Sequence, residues 1–179
     1  MTSGCSVPRG YKVQPLSAQS IKDKARTVRD KFFNLFPADA IDLVRILEHT
    51  LHQYKVTFEV REIHEMPDVE GWTNPDAALV ILREDVYDAL CDSSNPMHNR
   101  ARFTAAHELG HLFLHEGVTF ARGALPTHKH FEDSEWQADM FSAELLMPTE
   151  MCIGLSIEQI QAQYQVGYLA AKNKFNSLK

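Results

Sequence analysis

The stretch Ala105-Ala106-His107-Glu108-Leu109-Gly110-His111-Leu112-Phe113-Leu114 constrains this chain of 179 residues more than any other. Its apolar periodicity predicts a helix from about Arg100 to His115, with Asn99 as the cap. Helical residues four apart stand one above the other, so His107 and His111 share a face and both imidazoles can reach one ion. Zinc is the expected metal, and Glu108 stands beside the position that a catalytic zinc leaves open to reactants. A shuffled chain of this composition shows His-Glu-x-x-His only about 0.03 times, so chance is a poor explanation. A solvated surface helix fits no better, because Phe103, Ala105, Ala106, Leu109, Leu112 and Phe113 surround the motif.

Catalytic zinc usually takes three protein ligands. The third is expected from Glu135-Trp136-Gln137-Ala138-Asp139, on a helix from about Glu132 to Met147 that Pro148 stops. Glu135 and Asp139 also share a face: Glu135 completes a His, His, Glu set, and Asp139 accepts a hydrogen bond from the nitrogen of a ligand histidine that faces away from the metal. Gly110 adds a hint, since glycine inside a helix costs about 1 kcal/mol and marks close approach of another backbone. A crossing helix bearing Glu135 supplies that approach. His115 is rotated off the shared face and is not counted as a ligand. His128 and His130, in Pro126-Thr127-His128-Lys129-His130, are a weaker expectation, as loop histidines that swing toward the metal to stabilise an oxyanion. With zinc acidifying water and polarising a carbonyl, and Glu108 moving the proton to a leaving amine, the implied reaction is peptide hydrolysis.

The remaining chain reads as α+β. Ser17 or Ser20 caps a helix carrying Ile21, Ala25, Val28 and Phe32, and a second helix runs from about Ala38 to Gln53. In Lys55 to Ile63 the apolar residues Val56, Phe58 and Val60 alternate with polar ones, predicting a half-buried strand. Glu70 to Asp76 reads as a turn, and Ala77 to Arg83 as a second, more buried strand. That second strand, if it lies at a sheet edge beside the motif helix, can pair with an extended substrate segment. Asp92 to Asn99 and Gly117 to His130 read as loops, and Ser156 to Leu178 as two short helices broken near Val166-Gly167. One domain is expected over 1–179, with N-terminal helices (1–54), a catalytic core (55–148) and C-terminal helices (149–179).

Composition narrows the function classes. The longest unbroken apolar run, Ala77 to Leu82, is far below the roughly 20 residues of a membrane span. No secretory leader is visible, so a cytoplasmic location is expected. Cys5, Cys91 and Cys152 form no Cys-x-x-Cys, which argues against a disulfide framework or a cysteine zinc site. The net charge of −6 divides into +5 over residues 1–36 and −11 over the remainder. A uniformly basic nucleic-acid binder is thereby excluded, and direct nucleic-acid binding is not expected. A DNA contact through the basic stretch Lys22 to Lys31 is a minor alternative.

The blocks Arg100-Ala-Arg-Phe-Thr-Ala-Ala-His-Glu-Leu-Gly-His-Leu-Phe-Leu-His115 and Glu135-Trp-Gln-Ala-Asp-Met-Phe-Ser-Ala-Glu-Leu-Leu-Met-Pro148 resemble the ImmA/IrrE family of metallopeptidases. The resemblance implies a gluzincin-like, zincin-type α+β fold, helix-rich with a small sheet packed on the motif helix. It implies zinc held by His107, His111 and Glu135, with Glu108 as catalytic base. It also implies a protein substrate, a cytosolic regulator of the helix-turn-helix repressor kind. Residues 1–54 offer too few helices for a repressor domain, so that repressor is expected to be a separately encoded chain. The competing reading is a non-catalytic, zinc-stabilised binding partner or toxin-like component of a repressor system. An intact Glu108 beside an open position argues for the enzyme.

Overall fold

The computed structural model describes residues 10–36, 38–117 and 128–179. Helix α1 (Ala18–Thr27) starts where the Ser17 side chain accepts a hydrogen bond from the Ser20 amide, and a π-type turn, Val28–Phe32, continues it. Ile21, Ala25 and Val28 are buried along one face. Helix α2 spans 43–53, capped by the Asp42 carboxylate on the Arg45 amide, and starts later than the expected Ala38, where Asp39 instead turns its carboxylate back onto the Phe36 amide.

Strand β1 (Thr57–Arg61) falls within the expected strand. Two corrections follow it. Gly71–Asn74, read from its Gly, Asn and Pro as part of a turn, is a strand, β2, held by antiparallel pairing with β3 (Leu79–Arg83). The sheet order is β1-β3-β2, with β1 parallel to β3, so the expected strand over Ala77 to Arg83, which begins only at Leu79, forms the centre of the sheet rather than an edge. The strand expected to receive a substrate segment is therefore hydrogen-bonded on both sides, and β2 is the edge strand that lies against the motif helix.

Helix α3 (Glu84–Cys91) follows β3 without a loop, and α4 (His98–Leu114) carries the histidines. Asn99 lies inside α4 instead of capping it. The helix starts two residues earlier, over a turn in which Asn95 accepts from the Met97 and His98 amides. Helix α5 (Ser134–Leu146) is capped by Asp133 on the Trp136 amide. Three short helices close the chain: α6 (Thr149–Cys152), α7 (Ile157–Tyr164) and α8 (Tyr168–Ser177), the last two separated by Gln165 in the left-handed region and by Gly167, the cap of α8. The fold is α+β, helix-rich, with its small sheet against α4.

One buried cluster joins Ile21 and Ala25 of α1, Leu47 of α2, Val80 and Leu82 of β3, Ala105 and Leu109 of α4, and Phe141 and Leu145 of α5. Part of the basic N-terminal charge is spent inside it. Arg29 is buried and donates to the carbonyls of Leu145, Phe36 and Asp39, while Arg26 pairs with Glu150. Cys152 is buried and Cys91 exposed, both as free thiols; Cys5 lies outside the described residues. Most of the expected loop from Gly117 to His130 lies outside them too. Among the described residues no helix is long and apolar enough to cross a membrane.

Candidate metal centre

Helices α4 and α5 cross at Gly110. A Cβ added there would stand 3.0 Å from Ala138 Cα and 3.1 Å from its carbonyl oxygen, so the missing side chain lets the backbones meet. That contact sets Glu135, one turn before Ala138, beside the two histidines. His107 Nε2 and His111 Nε2 lie 3.0 Å apart, and the Glu135 oxygens lie 3.3 Å from the first and 3.4 Å from the second. Four donors about 2.0–2.1 Å from a tetrahedral zinc stand about 3.3 Å from one another, so the triangle has the size such an ion requires. Among the described residues, these three form the group of His, Cys, Asp and Glu side chains that could hold a metal ion.

The charges around the triangle argue the same way. Burial opposes a charge on His107, but hydrogen bonds to Asp139 and Glu135 raise its pKa to about 10 in the metal-free protein. Glu135 is held far below the usual carboxylate range by His107 and His111. Two ring nitrogens 3.0 Å apart with a carboxylate across them need a positive charge between them, either a proton or a metal cation, and uptake of a cation would release protons.

Asp139 sits behind this triangle, with Oδ1 3.0 Å from His107 Nδ1. A carboxylate there accepts from Nδ1–H and leaves the Nε2 lone pair directed at the ion. His115, rotated off the ligand face as expected, is nevertheless in contact with a member of the triangle: its Nδ1 lies 3.0 Å from His111 Nδ1 and its Nε2 lies 3.3 Å from Gln137 Oε1. Burial and the neighbouring His111 push His115 down to about 4.

Glu108 lies next to His107 on α4, buried under β2 and close enough to both ligand histidines to feel their charge. Thr73 Oγ1 donates to its Oε2 at 2.6 Å and lies 3.2 Å from its carbonyl oxygen. Gly71 permits this closeness, since a Cβ there would stand 2.7 Å from Glu108 Cγ and Oε1. Burial pushes the Glu108 carboxyl up, opposed by the Thr73 bond and by His111 and His107. Thr73 and Gly71 escaped the sequence reading because their roles depend on a strand that looked like a turn. His115 and Gln137 left a weak signal, being polar positions in apolar helical surroundings.

His128 and His130 are engaged elsewhere. His128 Nε2 lies 2.9 Å from Asp133 Oδ2, at the cap of α5, and the His130 ring packs edge-on against Phe131 and Trp136.

A helix bearing two histidines around a glutamate, closed by a carboxylate from a crossing helix beneath the edge of a small sheet, is a group able to hold a metal ion on a zincin-like α+β fold. Residues 90–176 match the model of the Peptidase_M78 family, described as an IrrE N-terminal-like domain, and the match covers both motif blocks. Comparison with curated proteins and with solved structures yields no match.

Proposed function

We propose that the chain is a zinc-dependent endopeptidase acting on a specific cytosolic protein, such as a helix-turn-helix repressor encoded by a separate chain. The observation that carries the peptidase reading is the pairing of a three-donor triangle of tetrahedral size with a buried glutamate clamped beside it by Thr73. A purely structural zinc site is normally closed by four protein ligands, whereas this triangle offers three. His107, His111 and Glu135 would hold the zinc, which when bound acidifies water and polarises a carbonyl. Glu108 takes the proton from the attacking water and returns it to the leaving amine. Asp139 keeps His107 oriented throughout.

Edge strand β2 has an unpaired side along which an extended segment can add as a further strand. Beyond it lies a cavity of 820 Å³ whose wall includes Pro75, Ala78, Leu112 and Phe113. Most of its lining comes from α1 and the end of α2, including Asp23, Thr27, Leu51 and Tyr54, and neither the metal triangle nor Glu108 borders it.

The test is co-expression of the chain, or its Glu108→Gln variant, with the regulator encoded beside it. Cleavage is expected from the wild type alone and only with zinc present. Glu108→Gln retains stoichiometric zinc while turnover falls by about 10³-fold or more; His107→Ala and His111→Ala lose zinc as well. Wild-type turnover by Glu108→Gln, or stable co-purification without cleavage, defeats the proposal.

A further inference from the structure

The buried side chains behind His111 form a directed chain whose hydrogen positions can be worked out one after another. Gln137, fully buried on α5, places its amide nitrogen 2.8 Å from the Gln14 carbonyl oxygen and 2.9 Å from the Phe131 carbonyl oxygen. Both hydrogens of the amide are thereby used, and the flipped amide would set an oxygen against two carbonyls. Oε1 must then face His115 Nε2, and an oxygen there can only accept, so His115 carries its proton on Nε2. The 3.0 Å contact between His115 Nδ1 and His111 Nδ1 holds a single proton. His111 can present a lone pair to an ion through Nε2 only when its own proton is on Nδ1. The shared proton therefore belongs to His111, and His115 accepts it as a neutral ring.

We propose that Gln14, Phe131, Gln137 and His115 form a tautomer relay that fixes His111 as a metal ligand, so that His115 and Gln137 are positioning residues of the metal site and the N-terminal strap is part of its support. The proposal rests on the metal-site reading above. The two ligand histidines are oriented by different means: His107 by the charged Asp139, and His111 by a neutral chain that ends on backbone carbonyls. The strap belongs to the chain because residues 10–16 are laced to the start of α5. Gly10 donates to Asp133 Oδ2, Tyr11 to Ser134 Oγ, Val13 to the Glu132 carbonyl and Leu16 to the Phe131 carbonyl. The Gln14 carbonyl is thus held where Gln137 needs it. A neutral relay has a chemical consequence. It aligns the ring without adding negative charge behind it, so His111 remains a less electron-rich ligand than His107, and the net charge of the site stays closer to zero.

The experiment uses the full-length protein and zinc alone as the probe, with affinity measured by competition against a chelator. Replacing His115 by Phe keeps the ring volume but removes the acceptor, and zinc affinity is expected to fall 10- to 100-fold, as for other partners of metal-bound histidines. His115→Asn places an amide oxygen near the position of the lost Nδ1 and is expected to restore affinity to within a few-fold of wild type, a rescue that packing alone does not predict. Independently of any variant, long-range ¹⁵N–¹H correlation spectra of the zinc-loaded wild type should show His115 as the Nε2–H tautomer and His111 protonated on Nδ1. A His115→Phe protein that binds zinc as tightly as wild type overturns the relay. So does a His115 proton found on Nδ1, or a His115→Asn protein as weak as His115→Phe. Failure of the wild type to bind zinc removes the metal-site reading itself, and is distinguishable from all three.

Discussion

Glu108 shows how much of this site depends on single atoms. Its carboxylate is fixed on one side by the Thr73 hydroxyl and crowded on the other by the backbone of Gly71, where a methyl group would stand 2.7 Å from Glu108 Cγ and Oε1. Gly71→Ala is therefore a displacement of the base rather than a change of backbone freedom. A shift of about 1 Å at a reacting group costs on the order of 10²-fold in rate. Gly71→Ala should accordingly lower kcat by about 10- to 100-fold while leaving zinc stoichiometry and KM near wild type. Steady-state kinetics combined with metal analysis checks this. Unchanged kcat would mean that the carboxylate has room to move. Thr73 is linked to the same outcome, because without its hydroxyl the buried carboxylate loses a charge-assisted hydrogen bond, a loss of about 1.5–3 kcal/mol when such a group has no substitute.

At the scale of elements, the crossing of α4 and α5 makes the triangle, and Gly110 makes the crossing. Gly110→Leu would have to separate the helices at Ala138, an overpacking penalty of about 1–3 kcal/mol. Because Glu135 rides on α5 one turn from that contact, zinc affinity should drop by more than the loss of stability accounts for. Urea unfolding of the metal-free protein beside a zinc titration separates the two effects. This crossing was legible in the sequence, since a glycine amid good helix formers and two carboxylates at helical spacing are local signals. So were the Ser17 cap of α1 and the break before α8. Strand β2 was not legible: Gly71 and Asn74 carry turn chemistry, and only pairing with β3 makes the four residues a strand. Placing β3 at the sheet centre needs long-range order that its apolar run does not encode. Helix α3 left a readable signal that went unused, with Glu84 and Asp85 in its first turn and Val86, Ala89 and Leu90 at helical spacing.

At the scale of the whole molecule, a buried ion pair ties the C-terminal helices to the core that carries the candidate metal site. Lys174 of α8 lies 2.8 Å from Glu144 Oε2 of α5, both side chains are 7% exposed, and Thr149 donates to the same carboxylate through its amide and hydroxyl. Burial alone would push the Glu144 carboxyl up, but Lys174 and Thr149 hold it below the usual carboxylate range. A carboxyl whose folded pKa is depressed contributes stability in full above its unfolded pKa, near 4.3, and loses that contribution as pH falls through the folded value. Lys174→Met reverses the sign. It leaves Glu144 buried without its cation, so the charged form becomes the costly one, and the loss at neutral pH should be about 3–5 kcal/mol. As pH falls toward 5 and Glu144 takes up a proton, the gap between wild type and variant should narrow. Urea unfolding at both pH values, with chelator present so that metal release does not contribute, measures that difference. The double variant Glu144→Gln/Lys174→Met should recover most of the loss at neutral pH, because it leaves no unpaired charge in the interior. A Lys174→Met penalty that stays constant between the two pH values would mean that Glu144 finds water when its partner is gone, and that α8 is held to the core by apolar packing alone.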